Sequence, residues 1–315
     1  MVSFKQQESL SVKQLIEQSK NKGSKRILEK LMPKILFLAA LVSVLTTIGI
    51  VFTLIFETIE FFTRVKLFDY LLGREWMPFA GTSPVYGVLP LIAGTLKVTL
   101  IAAIVAVPLG IAAAVYLSEY ASDRVRRIVK PILEVLAGVP TIVYGFFALT
   151  FVTPILQSII PSLKIFNAIS PGIVIGIMVL PMIASLSEDA MSSVPNSMRE
   201  GALALGSTKL EVTLKVILPA ALSGILASIV LAVSRAIGET MIVSLAGGST
   251  PKFDMNFTDS IQTMTAYIVQ VSSGDAGYGT TIYYSIYAVG FTLFIFTLLM
   301  NLLAHFITKH FREEY

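Results

Sequence analysis

The chain has 315 residues, 55% of them hydrophobic and only 14% charged, with a formal net charge of +4, a pI near 9.1 and no cysteine. A soluble domain carries about 25% charged residues, so the composition excludes an ordinary water-soluble fold and points to a surface that faces lipid. The missing cysteines exclude a disulfide framework and any thiolate metal site, and the basic pI does not argue for nucleic acid, because in a membrane protein the placement of positive charge matters more than its sum.

Residues 1–34 are polar and bring eight Lys and Arg. This reads as a solvated tail, with a surface helix from Lys13 to Lys34 as the second reading. So long a polar lead, with no small-residue cleavage site after the first apolar run, predicts an anchor and not a removed signal peptide. Six runs then lack Asp, Glu, Lys and Arg: 35–56, 98–118, 135–163, 165–187, 216–234 and 276–308. About 20 apolar residues cross the hydrocarbon layer, and these runs do not alternate as barrel strands would. The expectation is an all-α polytopic membrane protein with six transmembrane helices.

Between the first two runs lie Trp76, Phe79 and Tyr86, residue types that favour the membrane interface. Gly81, Pro84, Gly87 and Pro90 should break any regular element there. Pro108 and Gly110, then Gly138-Val-Pro140 and Tyr144-Gly145, then Gly172, Gly176 and Pro181 fall inside runs two to four. Small residues let helices approach closely, so helix packing is the first reading of this pattern and a hinge the second. Segment 247–282 is Gly- and Ser-rich, carries Asp254, Asp259 and Asp275, and is placed outside. With six spans, seventeen Lys and Arg fall on the side of both termini and five on the other. That excess places both termini in the cytoplasm. The chain then divides into a cytoplasmic segment 1–34, a transmembrane domain 35–308 with a cytoplasmic loop 188–219, and a cytoplasmic tail 309–315.

Gly201 to Thr208 nearly matches a phosphate-binding loop, but Ser207 stands where that motif needs Lys and no strand precedes it. Nucleotide binding by this chain is rejected. No catalytic constellation and no metal-ligand spacing is present, and His305 and His310 have no evident metal partner, so neither a catalytic nor a metal site is assigned. The loop itself runs Glu200-Gly201-Ala202, three residues, Gly206, nine residues, then Val216-Ile-Leu218-Pro219. This resembles the EAA signature of ABC importer permeases, departing from it in Gly201 for Ala and Val216 for Ile. A short helix from Met198 to Leu205, a turn at Gly206 and a second helix from about Thr208 to Pro219 would make a helix-turn-helix suited to a groove on another protein.

Arg235 and Glu239 are four residues apart. On a continuous helix they lie within about 40° of each other, and Arg235 stands about 24 Å from Pro219. A charge at that depth costs at least about 2.5–3.5 kcal/mol, while a surface ion pair contributes under about 1 kcal/mol. Stability alone does not explain the placement, which leaves a pair locking two helices or a site in a transport path; the path is preferred. Gly224 and Ser228 share that face and keep it small and polar.

Beyond the loop, Tyr86–Thr95, Pro108–Tyr120, Ala137–Gly145 and Arg235-Ala-Ile-Gly-Glu-Thr240 resemble the phosphate-specific ABC importer permeases of the Pst system, from about residue 35 to the C-terminus. Tyr144-Gly-Phe-Phe, Met264–Gln270 and the ending His310–Tyr315 favour the PstC-type subunit over the PstA-type. The resemblance implies a MetI-like permease core in the cell membrane and a heterodimer with a PstA-type sister. It also implies two cytoplasmic ATPase subunits that bind ATP and magnesium, an extracytoplasmic phosphate-binding protein, and inorganic phosphate as cargo; this chain would hold no cofactor and catalyse nothing. Glu200, Gly201, Ala202, Gly206, Leu218 and Pro219 would form the ATPase-coupling loop. Arg235 would hold the anion, and Glu239 would orient Arg235. A permease for molybdate or sulfate is the alternative within the class. An ion-coupled secondary carrier is the alternative outside it, though such a carrier should show internal repeats. A membrane-bound enzyme lacks a nucleophile and base.

Overall fold

The computed structural model describes residues 23–310 except Thr82 and Asp275. The polar residues 1–22, Asp275 and the end of the chain from 311 therefore lie outside the described residues, and with them most of the expected tail. The chain forms two units, divided between Ile55 and Phe56. In the first, the helix α1 (Gly23–Arg64) carries Leu36, Phe37 and Leu45 exposed along an apolar surface of the kind that lipid covers. The remainder of α1, from Phe56, belongs to the second unit.

In that second unit α2 (Leu67–Leu72) leads to a two-stranded antiparallel hairpin, β1 (Trp76–Met77) with β2 (Val85–Tyr86), in register Trp76↔Tyr86. Gly81 and Pro84 therefore do not abolish regular structure, as the sequence suggested; they shape the turn between two short strands. Pro90 sits in the first turn of α3 (Leu89–Val115), where its missing N–H is no loss. A π-helical turn, Tyr116–Tyr120, ends that helix. Next comes α4 (Asp123–Ala137), then α5 (Thr141–Phe147), a second π-turn (Ala148–Val152) and α6 (Thr153–Ile159). The charge-free run 135–163 is thus two pieces, because Gly138-Val-Pro140 stops α4 before the spanning segment Thr141–Ile159 begins.

The long helix α7 (Ile169–Ser192) runs beside α3, and this pair is the middle of the fold. A Cβ on Gly172 would stand 2.7 Å from Ile101 Cβ, and one on Gly176 only 3.0 Å from the Ala102 carbonyl. Glycine is needed for that approach, which supports the packing reading of these residues. Between lipid-covered helices such close contact replaces the hydrophobic effect as the source of cohesion.

After α7 come α8 (Asn196–Ala204), α9 (Lys209–Val212), a third π-turn (Thr213–Ile217), α10 (Leu218–Ala220) and α11 (Leu222–Ile237). The chain bends by 70° between Ala220 and Leu222. Among the described residues, five helices are long and apolar enough to cross a membrane, and a sixth span results if the bent pair counts as one. The six expected spans are accounted for on that basis, with the fifth broken. The expected outer segment 247–282 contains a buried helix, α13 (Met264–Ser272), preceded by the short α12 (Met241–Ala246) and followed by α14 (Thr281–His310). Around α13, Phe61, Tyr70, Trp76, Tyr86 and Tyr267 pack edge to face, and the Tyr267 hydroxyl meets Ser285 Oγ at 2.6 Å.

Candidate functional site

The loop after α7 is built much as its spacing implies. Gly206 adopts φ +86°, a conformation that glycine reaches without Cβ strain, and it turns the chain from α8 into α9. Thr208 then starts α9 with a capping box: its hydroxyl accepts from Glu211 N, and the Glu211 carboxylate accepts from Thr208 N at 3.0 Å. Glu200, Gly201, Gly206 and Pro219 are exposed, and Ala202 and Leu218 are half-buried. Leu205, at the tip, is 89% exposed. Leu203, Leu210 and Leu214 of the same segment are exposed as well, so it presents several large aliphatic side chains and not a single one. The six loop residues predicted from sequence therefore lie along one helix-turn-helix that ends at the 70° bend.

Arg235 and Glu239 are placed differently from the expectation. Arg235 lies in the last turn of α11 and is exposed, but α11 stops at Ile237. Glu239 falls in the break before α12, where it is buried. Its Oε1 accepts from Met241 N at 3.1 Å and Ile242 N at 3.3 Å, and its backbone carbonyl accepts from Thr265 Oγ1 at 2.8 Å. The first N–H groups of a helix have no partner within it, and Glu239 supplies one for α12. The two charges are thus not on one helix, and no ion pair joins them among the described residues. The small stripe on α11 also has a packing role: Gly224 faces Ala190, and Ser228 Oγ lies 2.8 Å from Ser187 Oγ on α7. Arg235 stands about two turns beyond that contact, close enough for its charge to act on the Tyr144 hydroxyl, which donates to Leu136 O at 2.7 Å.

Two charge clusters escaped the sequence reading, which treated their members as topology markers. At the loop end of α7, the fully buried Glu188 is bound by Arg126, by Lys130 at 2.7 Å and by Ser192 Oγ at 3.0 Å. At the opposite end of α3, the buried Lys97 donates to Asp254 Oδ1 at 2.6 Å and to Asn256 O at 3.0 Å. Asp259 meanwhile binds Lys252 at 2.5 Å and also Lys164. The hydrogen bonds from Lys164 and Lys252 hold the Asp259 carboxyl below the usual carboxylate range, and the bond to Asp259 holds the Lys252 amine above its own. A lone Lys at the edge of an apolar run was the available signal for Lys97, because a charge so placed in a spanning helix needs a partner. Among the described residues, no group of His, Asp or Glu is placed to hold a metal ion.

Comparison with known proteins gives this geometry its context. The family described as "Binding-protein-dependent transport system inner membrane component" matches residues 106–313. The "Probable ABC transporter permease protein YqgH" of Bacillus subtilis is 34% identical over 245 residues, 78% of this chain and 79% of that protein. The "Phosphate transport system permease protein PstC" of Mesorhizobium japonicum is 32% identical over 263 residues, 76% of this chain and 77% of that one. Among solved structures, a bacterial ABC transporter that imports alginate matches with a TM-score of 0.62 at 16% identity, covering 90% of this chain and 99% of that chain. The inward-facing MetNI methionine ABC transporter matches at 0.53 and 19%, covering 72% and 95%. These two likenesses show the fold, a MetI-like permease core. With its exposed helix-turn-helix and its broken fifth span, the chain belongs to the family of binding-protein-dependent transport system inner membrane components, as a PstC-type ABC transporter permease.

Proposed function

We propose that this chain is the permease subunit of an ATP-driven importer that carries inorganic phosphate into the cytoplasm. The observation that carries the reading is the likeness to PstC phosphate permeases over about three quarters of both chains, combined with the exposed α8–Gly206–α9 surface. A PstA-type sister would complete the path, and an extracytoplasmic binding protein would deliver phosphate. Two cytoplasmic ATPase subunits, holding ATP and magnesium, would grip the coupling loop at Glu200, Gly201, Ala202 and Gly206. Leu218 and Pro219 would carry that motion to the bend before α11. Both termini, and with them the polar segments 1–34 and 309–315, lie in the cytoplasm on this reading.

Arg235 is the proposed contact for the anion. It is an exposed guanidinium at the end of α11, and its planar fork can hold two phosphate oxygens at once. Glu239 serves the same place by fixing the α11–α12 break through the two N–H groups that it accepts. The experiment is ATP-dependent uptake of labelled phosphate by vesicles holding the assembled complex, with sulfate and molybdate as competitors. Phosphate uptake that sulfate and molybdate do not suppress supports the reading; preferential uptake of another oxyanion overturns it. Within that assay Arg235→Lys, which keeps the charge and loses the fork, should reduce uptake strongly. Arg235→Gln should nearly abolish it with assembly intact.

A further inference from the structure

The helix α8 is weakly seated. None of its residues is buried, and only Met198 and Ala202 lean on the nearby core. Yet any push on this helix must reach the spanning helices if it is to do work. Among the described residues, Arg199 is the α8 side chain whose hydrogen bonds leave the helix. Its guanidinium donates to Met191 O at 2.6 Å, to Val194 O at 2.5 Å and to Asn196 Oδ1 at 3.1 Å, and it pairs with Glu119 Oε1 at 3.3 Å. Met191 is in the last turn of α7, and Glu119 is in the π-turn that ends α3. One side chain thus joins α8 to the ends of the two helices at the centre of the bundle.

The setting suits transmission. Both partners are largely covered, with side chains 18% and 8% exposed, so the pair is shielded from the water and salt that weaken surface ion pairs. The Met191 carbonyl lacks its i+4 donor because Pro195 has no N–H, and besides Arg199 it receives Val194 N at 3.3 Å; a guanidinium there also meets the negative end of the α7 dipole. Ser118 Oγ holds Glu119 Oε1 from the far side at 2.9 Å. An open pocket of about 520 Å³ borders the pair, lined by Arg126, Ser192, Asn196 and Lys209, so α8 has room to shift without first displacing packed side chains.

We infer that Arg199 is a positioning residue for energy coupling: it carries displacement of α8 to α3 through Glu119 and to α7 through the Met191 carbonyl, with the Val194 carbonyl just beyond α7 as a further hold. This rests on the reading of α8 as the helix the ATPases grip. The test uses the assembled complex in proteoliposomes with its binding protein, reading phosphate uptake per ATP hydrolysed and the stimulation of hydrolysis by liganded binding protein. Arg199→Ala should keep basal hydrolysis and lose about fivefold or more of uptake per ATP. Glu119→Gln leaves the Met191 and Val194 carbonyl contacts in place, so it should still fold, and should lose about two- to tenfold. Arg199→Lys keeps the charge but cannot span acceptors on both helices, so it should fall between wild type and Arg199→Ala. An unchanged uptake-to-ATP ratio in assembled Arg199→Ala overturns the inference. So does loss of assembly in Arg199→Ala together with an unchanged ratio in Glu119→Gln, which would make Arg199 an anchor only. The substrate reading fails separately, through absence of phosphate uptake by the wild-type complex. In that case reduced stimulation of hydrolysis in both variants still supports the coupling role, and unchanged stimulation overturns it.

Discussion

Gly201 and Gly206 should respond in opposite directions to the same added methyl group. Both stand in open space, with nothing within 4 Å of a Cβ built on either, so no steric clash enters the comparison. Gly201 is inside α8, where alanine is favoured over glycine by about 0.8–1.0 kcal/mol. Gly206 has φ +86°, and a Cβ in the left-handed region costs about 1–2 kcal/mol. Local opening of α8 should therefore become about fivefold rarer in Gly201→Ala and about five- to thirtyfold more frequent in Gly206→Ala. Amide hydrogen exchange across Asn196–Ala204, measured on the permease alone so that ATPase contacts do not contribute, reads this directly. Gly206→Val, β-branched and more strained, should go further and weaken capture of the ATPase subunits while the permease still inserts. Wild-type protection in Gly206→Ala, or faster exchange in Gly201→Ala, would refute the reasoning that backbone conformation shapes this loop.

Glu188→Gln removes a buried charge but leaves Arg126 and Lys130, each about a third exposed, able to turn to water. The loss should be about 1–3 kcal/mol, below the full cost of breaking a buried pair, and should lower Tm by about 2–4 °C for each kcal/mol in a thermal scan of purified protein; an unchanged Tm refutes it. For Asp259, whose folded pKa is lowered, the contribution is present above about pH 3.9 and is lost as the pH falls through the lowered value. For Lys252, raised, it is present below about pH 10.4 and is lost as the pH rises through the raised value. Protease cleavage of segment 249–262 should thus be flat between about pH 5 and 9 and faster throughout in Asp259→Asn. A transition inside that window counts against the assigned pairing. The chain has no native cysteine, so single cysteines at Ser122 and Ser207 should be shielded from impermeant reagents in intact cells while one at Ser273 reacts. Labelling at 207 would sink the proposed orientation.

Much of the architecture was legible because a bilayer excludes charge, and charge-free runs can be counted. That signal reports composition and not straightness. It merged the end of α4 with the span beginning at Thr141, and it did not show the 70° bend beyond Pro219. The same limit misplaced Glu239. Spacing by four implies one face only on an unbroken helix, and Gly238, a common residue type in membrane helices, gave no reason to expect a stop at Ile237. The helix-turn-helix after α7 was readable because its turn and caps are local chemistry, carried by Gly206, Thr208 and Glu211. The oppositely charged partners of Glu188, Arg199 and Lys97 were not readable, since they lie 58 to 157 residues away and only the fold brings them together.

Trp76 is the chain's single tryptophan, and at 2% exposure it sits edge-on to Tyr267 with ring centroids 4.8 Å apart. Its indole N–H is buried and has no hydrogen-bond partner among the described residues. An indole so shielded emits at short wavelength, and it sits where the hairpin meets α13. The native protein therefore carries an intrinsic optical probe at that junction. Any step of the transport cycle that separates the hairpin from α13 would admit water to the ring and move its emission to the red. Stopped-flow fluorescence on the unlabelled complex could then time that movement, undiluted by signal from other indoles in this subunit.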